Sequence, residues 1–387
     1  MYMIVRTLSI HLIFLLFILP MNVQASLNDD TGNFNPGESI IDYILDKHEW
    51  QIARFGSTNI AVPLPILLIS EGRLYAFMSS RFRQGTADWR GFRLMQSGDH
   101  KGRIVRVDTQ GNISPDLPFD FSITKNVFSM LLAAMLLFFM FMKVSKAYQK
   151  LGSKQAPTGF QNAIEPIILL VRNDIAKQML PAKHVDKYLP YLLTLFFFIL
   201  FLNLMGLIPI FPGGANVTGN IAVTLGLALL TLVSTLIAGK RAYLRHLIDF
   251  PGVPWWLKFP IPIMPVIEII GVLLKPVTLT IRLMANMMAG KIVIVSIIFL
   301  IFILGEISPT LAYGFSPLSI IFVVFVTCLK LLISVIQAFV FTLLTALYFG
   351  FALEEVDHAE EHKQAKLNKT KMATVATLET KNQTLKT

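Results

Sequence analysis

The stretch GVLLKPVTLTIRLMANMMAGK, residues 271–291, places Arg282 in the middle of a long apolar run. A guanidinium group stays charged in any protein environment. At the centre of a lipid bilayer such a charge costs roughly 2.5–3.5 kcal/mol on insertion scales. Because helix packing alone does not require a permanent cation at that cost, we expect Arg282 to have a direct function.

The composition indicates a polytopic membrane protein. The chain has 387 residues, of which 54% are hydrophobic and 15% are charged, whereas soluble proteins are about 45–50% apolar and about a quarter charged. The net charge is +10, but Lys and Arg cluster at the ends of apolar runs, as topology signals do. We therefore expect a lipid bilayer, and no nucleic acid, as a partner.

The sequence offers no pattern typical of catalysis or of cofactor binding. Cys328 is the one cysteine, so no intrachain disulfide or cysteine-rich metal site is possible. It lies within an apolar run, and we interpret it as a small core residue. Neither HExxH nor GxxxxGK[ST] occurs. We predict no catalytic residue, no bound metal and no cofactor.

The N-terminal region predicts an exported module. Residues 1–25 have the order of a signal peptide, with Arg6, an apolar core and VQA before Ser26. An uncleaved anchor is the alternative. Residues 26–120 are polar and mixed, and contain short strand-like stretches such as TNIAVPLPILLIS. We interpret them as a small extracytoplasmic module in which His48 has a structural role.

Residues 121–353 predict an all-α polytopic membrane domain of about five segments. The last two are too long to cross a hydrocarbon core of about 30 Å upright, so they must be tilted, bent or folded back. An exterior loop is expected at 306–317, and residues 354–387 predict a polar cytoplasmic tail, partly helical or disordered. The predicted segments are 126–142, 188–211, 220–238, 261–305 and 318–353.

The two long segments each carry a polar stripe. In the first, charges recur every seven residues, close to two helical turns, so each drifts by about 20° around the axis. We expect the two stripes to face each other or water, with a partly hydrated Lys330 beside Gln337. The first stripe comprises Glu268, Lys275, Thr278, Arg282 and Asn286; the second comprises Thr327, Lys330, Ser334 and Gln337.

A cation at membrane depth has a specific use if a carboxylate passes it repeatedly. At about 4 Å and an effective dielectric near 20, the attraction is about 4 kcal/mol before desolvation costs. That is enough to keep the acid ionised and to release its proton. A fixed cation also repels protons leaking straight across. Arg282 could therefore separate two aqueous half-channels.

These residues resemble a known family. LLKPVTLTIRLMANMMAG resembles the signature of the a subunit of F-type ATP synthases, the stationary part of the membrane sector Fo. VIQAFVFTLLTALYFGFALEE is similar to that family's last helix, and LFLNLMGLIPI to its second-span motif. The resemblance implies a non-catalytic subunit of the bacterial inner membrane that couples ion flow to ATP synthesis. Implied partners are the c-ring, b-type peripheral stalk subunits and the whole F1Fo complex.

The resemblance also implies roles for single residues. Arg282 corresponds to the arginine that faces the rotating c-ring, and Gly290 to a small residue that permits close helix packing. Lys291 and Lys330 stand where the family usually pairs an acid with a histidine, a departure that concerns the entry half-channel. The residues implied in ion translocation are Arg282, Asn286, Gln337, Glu268, Lys330, Lys291 and Asn203.

Two other classes of function are open. A self-contained secondary transporter could use Arg282 to bind an anionic solute, although the sequence shows no internal repeat and no pair of broken helices. An intramembrane enzyme would need a catalytic constellation at membrane depth. The histidines at 48, 100, 184, 358 and 362 lie outside the predicted spans.

Overall fold

A computed structural model describes most of the chain. The described residues are 46–55, 58–95, 100, 102–108, 112–114, 117–151, 159–208, 212–248 and 263–384. The predicted signal peptide lies outside them. The chain forms two compact units: unit 1 comprises Met1–Leu136, Phe201–Asn220 and Asn286–Ile333, and unit 2 comprises Leu137–Leu200, Ile221–Ala285 and Ser334–Thr387.

Helices dominate the structure, and five of those described are long and apolar enough to cross a membrane. A π-helical segment, Val171–Ala176, and a short helix, Lys177–Met179, follow the second helix. The predicted fold class, an all-α polytopic membrane protein with a small N-terminal module, is confirmed. The main helices are α1 Lys125–Leu151, α2 Phe160–Leu170, α3 Val185–Leu207, α4 Ile221–Ile248, α5 Ile263–Ile307 and α6 Pro309–Thr384.

The length of α5 and α6 confirms that the last two segments are unusual. A helix of 45 residues such as α5 is about 67 Å long, more than twice the thickness of the hydrocarbon core. The expected loop at 306–317 was wrong, because α5 ends at Ile307 and α6 begins at Pro309. Proline is tolerated in a first helical turn, where its missing N–H has no helical partner. Residues 354–384 continue α6.

The described residues of the N-terminal module, part of unit 1, form seven short strands in three antiparallel sheets, β1-β2, β4-β3-β7 and β5-β6. The predicted strand-like stretch TNIAVPLPILLIS corresponds to β2 and β3. Alternate side chains of β3 point inward and form a core with Phe82 and Phe92. The strands are β1 Glu49–Phe55, β2 Thr58–Pro63, β3 Pro65–Ser70, β4 Arg73–Met78, β5 Phe92–Leu94, β6 Ile104–Arg106 and β7 Phe119–Asp120.

The module is fastened to the start of α1. The Asp46 carboxylate accepts hydrogen bonds from the Thr124 hydroxyl at 2.8 Å and the Asn126 amide at 3.1 Å. A carboxylate at a helix N-terminus satisfies amides that lack helical partners and complements the helix dipole. Trp50 packs edge-on against Phe128 of α1, with ring centroids 5.6 Å apart. The first helix therefore begins as an extension of the module.

His48 has a structural partner, as interpreted from the sequence. Its Nε2 lies 2.9 Å from Oδ2 of Asp120, and the histidine is only 7% exposed. The Ser122 amide donates to the other oxygen of Asp120. Burial disfavours ionisation of Asp120, but the hydrogen bonds from His48 and Ser122 outweigh it, so the pKa of this carboxyl lies below 3.8.

Unit 2 contains a close approach between α6 and the residues after α2. A methyl group at Gly350 would overlap the carbonyl oxygen of Met179. The obstacle is backbone, which cannot rotate away as a flexible side chain can. Glycine is thus the residue that fits at position 350.

We expect Asp120→Asn to destabilise the module by about 1–3 kcal/mol at neutral pH, because it weakens a buried hydrogen-bond network. Amide exchange of β3 in the full chain measures this. The depressed pKa makes the contribution of Asp120 fully present above 3.8 and lost as the pH falls through the folded-state value. The variant and the parent should converge at low pH. As a control, Asp88→Asn removes an exposed ion pair with Arg93, worth up to about 1 kcal/mol; an equal effect would contradict the prediction.

We expect Gly350→Ala to lower the stability of the purified chain by about 1–3 kcal/mol, as overpacking does, and to lower its melting temperature in detergent. The matched control is Gly271→Ala in α5, where an added methyl meets nothing within 4 Å. There alanine should be neutral or stabilising, because it favours helix by about 1 kcal/mol over glycine. An unchanged melting temperature of Gly350→Ala would contradict the prediction, because it would show that the Met179 carbonyl leaves room for a methyl group at position 350.

Candidate functional site

Arg282 lies on an exposed face of α5. Thr278 and Asn286, one turn before and after it, are exposed as well. The Thr278 hydroxyl donates to the Leu274 carbonyl at 3.0 Å, so it stays within its own helix. Among the described residues no carboxylate forms an ion pair with Arg282, and its electrostatic neighbour is Tyr348 of α6. The guanidinium therefore faces outward from this chain.

Lys275 belongs to the same predicted stripe but turns toward its neighbours in unit 2. Its ammonium lies 3.5 Å from the Tyr243 hydroxyl and 5.0 Å from the centroid of the Tyr348 ring. Glu268 also interacts with it electrostatically. Contacts of a cation with an aromatic face contribute roughly 0.5–2 kcal/mol. The structure thus brings Glu268, Lys275 and two tyrosines into one polar group.

A small cavity adjoins this group in unit 2, between α4, α5 and α6. The residues around it include Lys275, Thr231, Thr235, Tyr243 and Tyr348, but the surface that they present to the cavity is apolar. Thr231 and Thr235 bond to carbonyls of their own helix. Sequence reasoning missed these two threonines and Tyr243. The signal for the threonines was a row of small and hydroxyl residues three or four apart, which includes Thr224 and Ala228.

The polar stripe of α6 points into the protein rather than outward. Lys330, Ser334 and Gln337 are at most 5% exposed, in contrast to the open face around Arg282, whereas Thr327 at the start of the stripe is half-buried. Lys330 packs against Gly290 of the preceding helix, on the stripe that it shares with Gln337, and its partial hydration stays a prediction. The buried polar residues in this part of α6 include Lys330, Ser334, Gln337, Thr342 and Thr345.

Lys291 is buried in unit 1, on the side of α5 opposite Arg282. Its Nζ donates to the carbonyl oxygens of Gly214 and Ala215, both at 3.0 Å. These carbonyls belong to residues 213–219, a non-helical segment with one short 3-10 turn in which every residue is buried. Buried backbone groups need partners, and Lys291 supplies two of them. Nothing in the spacing of the sequence predicted this contact.

Gly290 and Lys330 lie against each other, also within unit 1. A methyl group at position 290 would overlap the Lys330 Cε atom, so the absent side chain leaves room for the lysine stem. Lys291 interacts electrostatically with both Lys330 and Lys125. Asn203, in α3 of the same unit, is completely buried. The structure thus brings the two unusual lysines together.

Cys328 differs from its interpretation, because it is exposed. In a helix that faces lipid, the outward side is apolar, so an apolar run no longer identifies the core. Cys328 belongs neither to the polar group around Lys275 nor to the group of buried lysines, Lys291 and Lys330.

Comparisons with known proteins find two family profiles that together match most of the chain. The profile of the ATP synthase A chain family matches residues 127–350, and a domain of unknown function, DUF8433, matches residues 39–121. The chain is 43% identical over 248 residues to ATP synthase subunit a 2 of Prosthecochloris aestuarii, covering 63% of this chain and 72% of that protein.

Two further relatives show the same extent of similarity. ATP synthase subunit a of Pelodictyon phaeoclathratiforme is 42% identical over 256 residues, covering 65% of this chain and 71% of the relative. That of Myxococcus xanthus is 40% identical over 249 residues, covering 63% and 77%. With five apolar helices and a family profile that spans more than half of its length, this multi-pass membrane protein belongs to the ATP synthase A chain family.

Proposed function

We propose that this chain is the stationary channel subunit of the Fo sector of an F-type ATP synthase, with the proton as the expected ion. The observation that carries the proposal is the position of Arg282. It is a permanent cation on an exposed face of an otherwise apolar membrane helix, with no carboxylate in ion-pair contact among the described residues. Its counter-charge then comes from another protein, and a carboxylate of the rotating c-ring fits.

The mechanism follows from the charge. A protonated ring carboxyl that reaches Arg282 loses its proton, because the guanidinium lowers the free energy of the carboxylate by about 4 kcal/mol before desolvation costs. The proton leaves through one half-channel. The carboxylate then moves on, is protonated from the other half-channel and re-enters the lipid as a neutral group. Arg282 stays charged throughout and repels a proton that would cross directly.

The polar group of unit 2 supports one half-channel. Glu268, Lys275 and Tyr243 provide titratable and hydrogen-bonding groups beside a small cavity on the same helix as Arg282. Protons move along such chains of exchangeable groups and water, and they do not move through apolar packing.

The polar residues of unit 1 support the other half-channel. Lys330 and Asn203 are buried polar groups at membrane depth, a placement that usually marks an ion pathway. We assign Lys291 the task of shaping this path, because it holds the segment 213–219 through two carbonyls. Asn286, beside Arg282 on the exposed face, and Gln337, in the buried stripe of α6, complete the set.

The proposal also names the partner subunits and the membrane in which the chain lies. Its partners are the c-ring, the b-type peripheral stalk and the catalytic head, and the chain itself is non-catalytic. The membrane is the inner membrane of a bacterium, with the N-terminal module outside the cytoplasm and the C-terminal tail within it. The lysines that follow the first span, from Lys143 on, support this orientation, since cytoplasmic loops are enriched in Lys and Arg.

We expect Arg282→Ala to abolish ATP-driven ion pumping into membrane vesicles, because a protonated ring carboxyl that arrives at a site without the guanidinium keeps its proton. The complex should still assemble, since the side chain is exposed and supports no packing. The acidification of vesicles measures pumping, and copurification with ring and head subunits measures assembly.

The matched control is Arg172→Ala, which removes an exposed arginine whose ion pair with Asp186 is worth at most about 1 kcal/mol. Its pumping should equal that of the parent. Coupled pumping by Arg282→Ala would contradict the proposal. Gradient-driven uptake of an anionic solute by the chain alone in liposomes would favour a secondary transporter instead.

We expect Lys291→Met to lower the stability of the complex by about 1–3 kcal/mol, because the Gly214 and Ala215 carbonyls lose their donor inside the protein. Pumping should fall with it, as the segment 213–219 loses its position. Thermal melting and vesicle acidification are the two measurements. The control Lys146→Met changes an exposed lysine and should alter neither. Lost pumping with unchanged melting would assign Lys291 to proton relay rather than to support.

A further inference from the structure

The outer face of sheet β4-β3-β7 is apolar. We define the outer sheet face as Leu67, Ile69, Leu74, Met78, Phe119 and Phe121. In the sheet register Ile69 pairs with both Leu74 and Phe119, so three of these side chains form a row across the strands. Leu74 is 67% exposed, Phe119 is 72% exposed and Phe121 is 64% exposed.

This pattern differs from that of an ordinary antiparallel sheet. Successive side chains point to opposite faces, and the inner residues Ile66 and Leu68 are completely buried. The alternate residues would be polar if the outer face met water. Soluble surfaces rarely expose a contiguous apolar patch of more than a few hundred Å², and larger ones mark interaction sites.

The outer sheet face is joined to the start of the first membrane span. The Phe121 amide donates to the Leu67 carbonyl at 2.9 Å, and the Ile123 amide donates to the Pro65 carbonyl at 3.0 Å. The span begins at Lys125, four residues after Phe121, a distance of at most about 14 Å. The contact between Trp50 and Phe128 also holds the module against α1. The sheet therefore cannot move far from the membrane boundary.

We propose that the outer sheet face rests in the interfacial layer of the bilayer beside the first span, with phospholipid as its partner. The chain leads from this sheet directly into α1, whose first half, in the same unit, exposes the apolar side chains of Leu131 and Met135. Two exposed arginines, Arg73 before and Arg81 after the outer residues of β4, are suited to phosphate groups. The module would then be a peripheral membrane anchor that orients the first span.

The test uses single-cysteine labelling of the full chain within its complex, reconstituted in phospholipid vesicles. The one native cysteine is removed by Cys328→Ser, and Leu74→Cys or Phe119→Cys then carries an environment-sensitive fluorophore. The control Arg103→Cys places the same label on an exposed position of the β5-β6 hairpin. Each label is quenched separately by nitroxide-bearing lipid and by aqueous iodide, and melting of each labelled protein confirms that it remains folded.

We expect the lipid quencher to reduce the emission of the labels at 74 and 119 several-fold more than iodide does, and the Arg103→Cys control to show the reverse. Iodide quenching at 74 and 119 would overturn the proposal, because the face would then be open to water. Protection from both quenchers would also overturn it, because a protein partner or a second copy would then cover the face. The proposal depends only on the membrane spans and stands or falls independently of ion pumping.

Discussion

A permanent charge in an apolar medium is the constraint on which the rest of this structure depends. Arg282 costs a few kcal/mol at bilayer depth, and this chain offsets little of that cost itself, since the residue is exposed and has Tyr348 as its neighbour. The helix that carries it spans 45 residues, so a strongly tilted path presents its polar face to a partner over a greater length than an upright helix could. In the proposed function, the c-ring carboxylate balances the cost of this charge at an interface between two proteins.

The two buried lysines meet the same constraint in another way. Lys291 is buried but donates to two backbone carbonyls, which lets an irregular segment exist inside a membrane protein. Irregular backbone at membrane depth is tolerated where protein encloses it, and residues 213–219 are enclosed completely. Lys330 uses the space left by Gly290 for its aliphatic stem. A position where the family usually has an acid or a histidine has here become a support for the backbone.

Much of the fold could be predicted because bilayer thickness imposes long apolar runs, and each of the five runs became a helix. The loop expected at 306–317 was wrong because α6 begins at Pro309, a first-turn position where proline is tolerated, and continues through Pro317. The interpretation of Cys328 as a core residue was wrong because a side chain within an apolar run of a membrane helix can face lipid as well as the protein core. Within the site, the four-residue spacing predicted that Thr278 and Asn286 share the exposed face of Arg282. Lys275, seven residues before Arg282, instead turns toward Tyr243 and Tyr348. The carbonyl partners of Lys291 lie more than seventy residues away, and no local pattern encodes such a contact.

The N-terminal module and the long helices both carry apolar side chains on their outer surfaces. In α5 and α6 the outward surface is apolar because hydrocarbon surrounds it, and the polar stripe of α6 is turned inward. The sheet of the module repeats this inversion, with buried Ile66 and Leu68 on one side and exposed Leu74 and Phe119 on the other. A sheet with two apolar faces is unfavourable in water and is stable where one face meets protein and the other meets lipid. Since Asp46 and Trp50 bind the module to the beginning of α1, a sheet held at the interface would fix the depth at which the first span enters the membrane.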